Sequence, residues 1–301
     1  MALAAADVVA RLRGTYTALI TPFRGDAVDE AAFRALVERQ IAEGVDGLVP
    51  VGTTGESPTL TFEEHIRVIR CCVEAARGRV PVLAGAGANS TREALELSEA
   101  AREAGADGLL SVAPYYNRPT QRGLLLHYRT LLEEVDLPLV LYNIPGRTGV
   151  NVEPETMAAL RSSPRFAGVK ESAGSCDQVS RILELCGPDF PVLCGDDSLT
   201  LPFMSVGARG VISVASNLVP RETSAMVRAF MEGRPGEALA LHRRLYPLMK
   251  ALFIETSPGP IKAAMAMLRL CEGGLRSPLA PMDDANRERL RKAMAGVGLK
   301  V

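Results

Sequence analysis

The 301-residue chain is predicted to be an α/β protein, a (β/α)8 TIM barrel with a C-terminal helical extension. Three observations predict it. Short, continuously apolar segments alternate with amphipathic ones, as parallel strands covered on both faces require. A weak repeat, EGVDGLVPVG (43–52), AGADGLLSVAP (104–114) and VGARGVISVAS (206–216), runs each time from a helix end through two glycines into a strand. The unit recurs about eight times at a spacing of roughly 20–35 residues, which suits one barrel better than two average domains.

The candidate strands are 15–20, 47–51, 80–84, 108–113, 138–142, 166–170, 191–194 and 210–214. Between them, Phe33, Leu36, Val37 and Ile41 repeat at helical spacing over 29–43, and Phe62, Ile66, Ile69, Val73 and Ala76 do so over 62–77. Thr61 with Glu64 reads as a capping box opening the second of these helices. Gly44, Gly105 and Gly207 fall where a helix ends in a left-handed residue. A doubly wound open sheet is the rival fold, but its dinucleotide fingerprint fails: GAGANS (85–90) has Ser90 in place of the third glycine. After about residue 220 the strands stop and helical segments continue without a linker. The chain therefore divides into a barrel, 1–230, and a helical domain packed on it, 231–301.

The first residues, MALAAADVVARLRG, resemble a signal peptide only briefly. They lack a basic start, and Asp7 interrupts the apolar stretch, so a short helix is expected. Hydrophobic residues make up 47% and charged residues 23%, with a formal net charge of −1. That balance removes the electrostatic case for a nucleic-acid partner. No apolar run approaches the ~18 residues of a membrane helix, and a cytoplasmic location is expected. The six cysteines form no CxxC and read as free thiols. The three histidines, His65, His127 and His242, are too far apart in sequence for a local zinc pair, and no metal is expected.

In such a barrel the active site lies at the C-terminal ends of the strands. Of only five lysines, four fall in the C-terminal helical region. The fifth, Lys170, ends the apolar strand FAGVK. An arginine cannot form a Schiff base at neutral pH, whereas a lysine amine can once burial lowers its pKa from ~10.4. Lys170 is therefore a candidate nucleophile toward a carbonyl. The structural alternative is an ion pair with a nearby carboxylate such as Glu171. Tyr142 ends the preceding strand, so its phenol can reach an imine on Lys170; the alternative is a core tyrosine with a bonded hydroxyl. Thr53 and Thr54 offer hydroxyls and backbone N–H groups to a carboxylate or a proton relay, or belong to an ordinary turn. Arg147 can grip a carboxylate bidentately, or is one surface arginine among many.

GTTGES (52–57), SVAPYYNRPTQ (111–121), LYNIPGRTG (141–149) and GVKES (168–172) stand in order at the strand ends. Together they resemble the dihydrodipicolinate synthase branch of the pyruvate-dependent aldolase family that includes N-acetylneuraminate lyase, over about residue 14 to the C-terminus. The resemblance implies a class I (Schiff-base) aldolase that condenses pyruvate with L-aspartate 4-semialdehyde in the diaminopimelate route of lysine biosynthesis. It implies Lys170 as the Schiff-base lysine, with no cofactor beyond the covalent imine. Tyr142, Thr53 and Tyr116 would form a proton relay, Tyr116 being lent by a neighbouring subunit of a homotetramer built as a dimer of dimers. Thr54 would bind the pyruvate carboxylate, Arg147 the carboxylate of the semialdehyde, and Gly195 and Ile212 would line the pyruvate pocket. Such phenol and hydroxyl chemistry agrees with a chain poor in histidine.

Two rivals belong here. Another pyruvate-dependent aldolase, such as N-acetylneuraminate lyase or a sugar-acid aldolase, is opposed by the Thr-Thr pair and by Arg147. A barrel retained as a small-molecule binding or regulatory protein is opposed by the intact set of Lys170, Tyr142, Thr53 and Tyr116. The resemblance also implies a lysine effector site at the matching Ser57, His65, Asn89, Glu93 and Tyr115. Pro58 and Phe62 depart from that pattern, where alanine and histidine are usual in the enteric type. Ordinary readings compete: Ser90 with Glu93 as a capping box, Asn89 as a turn residue, and His65 on an exposed helix face.

Overall fold

A computed structural model describes residues 5–300. Helix α1 (Ala5–Arg11) precedes strand β1 (Gly14–Ala18). A short hairpin, Phe23–Arg24 paired with Ala27–Val28, leads into α2 (Glu30–Ala42). Then come β2 (Gly47–Val49), α3 (Phe62–Ala76), β3 (Leu83–Gly85), α4 (Thr91–Glu103), β4 (Gly108–Val112) and α5 (Gln121–Glu134). Strand β5 (Leu139–Asn143) is followed by the short helices α6 (Pro145–Thr148) and α7 (Pro154–Ala158). The chain continues with β6 (Phe166–Glu171), α8 (Cys176–Cys186), β7 (Val192–Cys194), α9 (Thr200–Ser205), β8 (Gly210–Ser213) and α10 (Pro220–Met231). It ends in α11 (Pro235–Ala251), α12 (Gly259–Met267) and α13 (Asp284–Gly296).

The eight strands pair in parallel, β2–β1–β8–β7–β6–β5–β4–β3. A bridge from Leu48 to Val82 brings the two ends together, so the sheet closes as a barrel with helices around it. Each predicted strand is present, shifted by at most three residues at an end. The hairpin at 23–28 escaped the sequence reading because its strands are two residues each and carry no period.

Alternation along the strands divides the core in two. Side chains such as Tyr16, Val49, Leu83, Leu110, Val140, Leu193 and Ile212 fill the barrel. The other set packs outward on the helices. Val8 of α1 and Leu12 just after it belong to the inner set, so the amino-terminal segment read as a helix packs against the barrel interior.

The repeat has a physical basis at its turns. Gly44, Gly105 and Gly207 have φ of 86°, 87° and 109°, as expected of glycines that follow a helix C-cap. In the first two repeats an aspartate follows and holds the next strand's neighbour: Thr15 N–H donates to Asp46 and Val82 N–H to Asp107, at 2.8 and 2.9 Å.

Helix α3 carries the expected capping box at Thr61 and Glu64. Its buried face is rotated from the one expected. His65, Ile69, Cys72 and Ala76 lie inside, whereas Phe62 is 46% exposed. Removing Ile69 to alanine there would cost about 2–5 kcal/mol. Among the described residues no helix is long and apolar enough to cross a membrane.

Candidate active site

Strands β5 and β6 run side by side with Tyr142 in register with Lys170, and Asn143 with Glu171. Tyr142 and Lys170 are both buried at 5% exposure, and the Lys170 Nζ lies 4.0 Å from the centroid of the Tyr142 ring. The alternative partner, Glu171, is turned to the opposite face by the strand's two-residue period. There its carboxylate accepts from Asn143 Nδ2 at 3.1 and 3.0 Å, from Gln178 Nε2 at 3.0 Å and from Ala173 N–H at 2.6 Å. Burial raises the Glu171 pKa, and these hydrogen bonds oppose the rise. Glu171 is thus part of an amide network outside the barrel, and the ion-pair reading of Lys170 with Glu171 is set aside.

Gly195 follows β7. A Cβ there would lie 2.9 Å from Lys170 Cε and would also strike the Ser172 hydroxyl, so the absent side chain makes room for the lysine. Ile212 of β8 is fully buried in the inner set that also holds Tyr142.

A cavity of ≈ 200 Å³ opens beside these strand ends. Thr53, Tyr142 and Arg147 line it, as do Ser57 and Tyr115. Lys170, Thr54, Gly195 and Ile212 are not among its lining residues; Tyr142 touches both the cavity and Lys170. Gly85 and Gly87 also line the cavity. Sequence reasoning weighed GAGANS only as a failed dinucleotide fingerprint and missed this role. Its signal was two glycines at the end of a strand.

Thr53 and Thr54 belong to a 3-10 turn, Thr53–Gly55. Left-handed residues bracket it, Val51 at φ 49° and Glu56 at φ 56°. Neither is glycine, and Val51 is β-branched, so each conformation costs of order 1–3 kcal/mol and must be held by its surroundings. Within the turn, Gly55 N–H donates to Gly52 O at 3.0 Å, and the Thr21 hydroxyl donates to Gly55 O at 2.7 Å.

Arg147 lies in α6 and donates from Nη2 to the Ser257 carbonyl at 3.2 Å, a contact made by the C-terminal region. Tyr116 is not brought to the cavity of its own chain. It is 90% exposed and has φ 73°, an aromatic held outward on a left-handed backbone.

The residues matched to an effector site divide likewise. Ser57 and Tyr115 stand at the cavity. Burial raises the Tyr115 pKa, and the Glu93 charge adds to the rise. His65 is not on an exposed face: it is 3% exposed, its Nε2 is 2.7 Å from Gly85 O, and burial lowers its pKa. Ser90 caps α4 without a side-chain hydrogen bond, so the competing capping box with Glu93 is not formed. The Asn89 carbonyl accepts from Asn117 Nδ2 at 2.8 Å. Among the described residues no group of three or more His, Cys, Asp or Glu is placed to hold a metal ion.

Residues 11–296 match the model of the dihydrodipicolinate synthetase family. The 4-hydroxy-tetrahydrodipicolinate synthase of Nitratidesulfovibrio vulgaris (strain DP4) is 53% identical over 287 residues, which cover 95% of this chain and 98% of the relative. The solved 4-hydroxy-tetrahydrodipicolinate synthase of Methylacidiphilum fumariolicum SolV superposes with a TM-score of 0.93 at 49% identity, covering 95% of both chains. The solved dihydrodipicolinate synthase of Aquifex aeolicus gives 0.94 at 48% identity, covering 96% of this chain and all of the other.

Proposed function

The chain belongs to the dihydrodipicolinate synthetase family, enzymes of the class I aldolase type, and from that premise we propose how its residues condense pyruvate with L-aspartate 4-semialdehyde. The observation that carries the proposal is the buried Lys170 amine 4.0 Å from the Tyr142 ring, at adjoining strand ends.

Lys170 attacks the keto carbon of pyruvate, and water leaves as the imine forms. The imine withdraws electrons from the methyl group. A proton departs through the Tyr142 phenol and the Thr53 hydroxyl, leaving an enamine. The enamine carbon attacks the aldehyde, whose oxygen takes up a proton. The amine of the adduct then displaces Lys170 and closes the ring. Thr54 binds the pyruvate carboxylate and Gly195 leaves room for the lysine beneath it. Ile212 lines the pyruvate pocket. Arg147, which lines the cavity and donates to Ser257 O, grips the carboxylate of the semialdehyde. Nothing in this course requires a cofactor other than the imine.

Tyr116 completes the relay in the cavity of a neighbouring subunit, within a homotetramer. Its 90% exposure and left-handed backbone support a role outside its own chain. The chain divides into a catalytic barrel, 1–230, and a helical domain, 231–301, and works in the cytoplasm. Free lysine inhibits from a site made of Ser57, His65, Asn89, Glu93 and Tyr115. There Glu93 and Asn89 hold the effector's ammonium, and His65 and Tyr115 add hydrogen bonds.

The deciding experiment follows pyruvate consumption with L-aspartate semialdehyde in one vessel and N-acetylmannosamine in the other. Turnover with the semialdehyde alone is expected; turnover with the amino sugar alone transfers the assignment to a lyase. An activity that stays flat up to millimolar lysine removes the effector site.

A further inference from the structure

We propose that the buried ion pair of Glu56 with Lys262 is a positioning device, through which the C-terminal helices set the Thr53–Thr54 turn against Tyr142 and Lys170. This rests on the relay reading of Thr53. The pair joins residues 206 apart in sequence, one at the end of the turn and the other in α12. Both side chains are fully buried, and Lys262 Nζ donates to Glu56 Oε1 at 2.5 Å. The second carboxylate oxygen accepts the Arg276 N–H at 3.2 Å. Lys262 Nζ and the Arg276 guanidinium lie 4.0 and 4.4 Å from the centre of the same Phe23 ring. Both oxygens of Glu56 are thus held from the C-terminal region, and the Thr59 hydroxyl adds a longer contact to Oε2 at 3.5 Å.

Neither member lines the cavity, and both charged groups are fully buried and spent on each other and on the Arg276 N–H. Stability is a weak reason for such a pair, because desolvation of two buried charges offsets most of their attraction. Geometry is a better one. Glu56 is the left-handed residue that closes the turn, and its N–H donates to the Thr53 carbonyl at 3.2 Å. Holding its carboxylate therefore fixes the backbone that carries the Thr53 hydroxyl. A shift of about 1 Å there is enough to cost ~10²-fold in rate.

The test compares the full chain with Lys262→Gln and with the double variant Glu56→Gln/Lys262→Met, which replaces the pair without leaving a lone buried charge. Three quantities are read: thermal unfolding, borohydride trapping of pyruvate on Lys170, and exchange of the pyruvate methyl protons in D2O. Folded variants that still trap pyruvate but exchange and turn over about 10–100-fold more slowly, with a smaller change in KM, are expected. Exchange and kcat within twofold of the unsubstituted chain overturn the proposal. So does failure of both variants to fold, which makes the pair a stability element alone. An unsubstituted chain that neither traps nor exchanges pyruvate overturns the reading of Lys170 and Thr53 beneath it.

Discussion

Tyr142 and Lys170 meet across the β5–β6 register, the amine lying 4.0 Å from the centre of the phenol ring with both side chains buried in the barrel. The ring therefore packs on the amine proposed to form the imine. Tyr142→Phe keeps this packing and removes only the hydroxyl. It should leave borohydride trapping of pyruvate intact while kcat falls by roughly 10²–10⁴-fold, the usual worth of a positioned proton-transfer group. Loss of trapping in a folded Tyr142→Phe chain would show that the phenol is needed before the imine exists.

Lys170→Arg separates charge from nucleophilicity. The guanidinium keeps the positive charge but supplies no free amine at neutral pH. Intact-mass measurement after borohydride and pyruvate should show no adduct on this variant, and one pyruvate-derived increment on the unsubstituted chain. An adduct of equal yield on Lys170→Arg would move the imine to another lysine.

Much of this site was legible in the sequence because strand order and strand ends follow from local patterns. Continuous apolar runs mark the buried parallel strands, so Lys170, Tyr142 and Gly195 could be placed at strand ends without coordinates. Other features need the third dimension. The alternation that turns Glu171 away from Lys170 is certain only once the strand's facing is known. His65 looked like a surface residue because its partner is a carbonyl twenty residues away. The Glu56–Lys262 pair closes over a separation of 206 residues, which no periodicity reports. Gly85 and Gly87 matter for the side chains they lack, and a glycine's pattern does not say what passes beside it.

Gly195→Ala tests the closest of these approaches. The added methyl would stand 2.9 Å from Lys170 Cε, tighter than ordinary contact, and would also strike the Ser172 hydroxyl. Overpacking of this kind costs about 1–3 kcal/mol and displaces side chains from their rotamers. The yield of trapped pyruvate should fall, together with a modest loss of thermal stability. Unchanged trapping would mean that Lys170 reaches pyruvate along a path that avoids β7.

Arg147→Met should separate the two substrates. Arg147 lines the cavity, whose lining does not include Lys170, so pyruvate trapping is expected to survive. Charge-assisted hydrogen bonds are worth about 1.5–3 kcal/mol, which predicts a rise in KM for the semialdehyde of roughly 10–100-fold. If KM for pyruvate rises instead, the arginine grips the first carboxylate rather than the second.

The Glu64–Arg276 pair predicts an acid-sensitive part of the stability. The Arg276 guanidinium meets the Glu64 carboxylate with both terminal nitrogens at 2.6 Å, and the Thr61 N–H adds a third donor at 3.0 Å. Arg276 first, and Thr61 after it, hold the carboxyl pKa down from the ordinary 4.5 to about 2. The folded chain thus binds fewer protons here than the unfolded chain, and the stabilisation is present above pH about 4.5 and lost as pH falls toward 2. Solvent screening at this partly exposed site limits it to about 1 kcal/mol. Glu64→Gln should therefore be less stable than the unsubstituted chain at pH 7 by about that amount, and the two unfolding curves should converge as the pH falls to about 2. Parallel stability–pH curves for the two chains would show that Glu64 contributes only through its neutral hydrogen bonds at the start of α3.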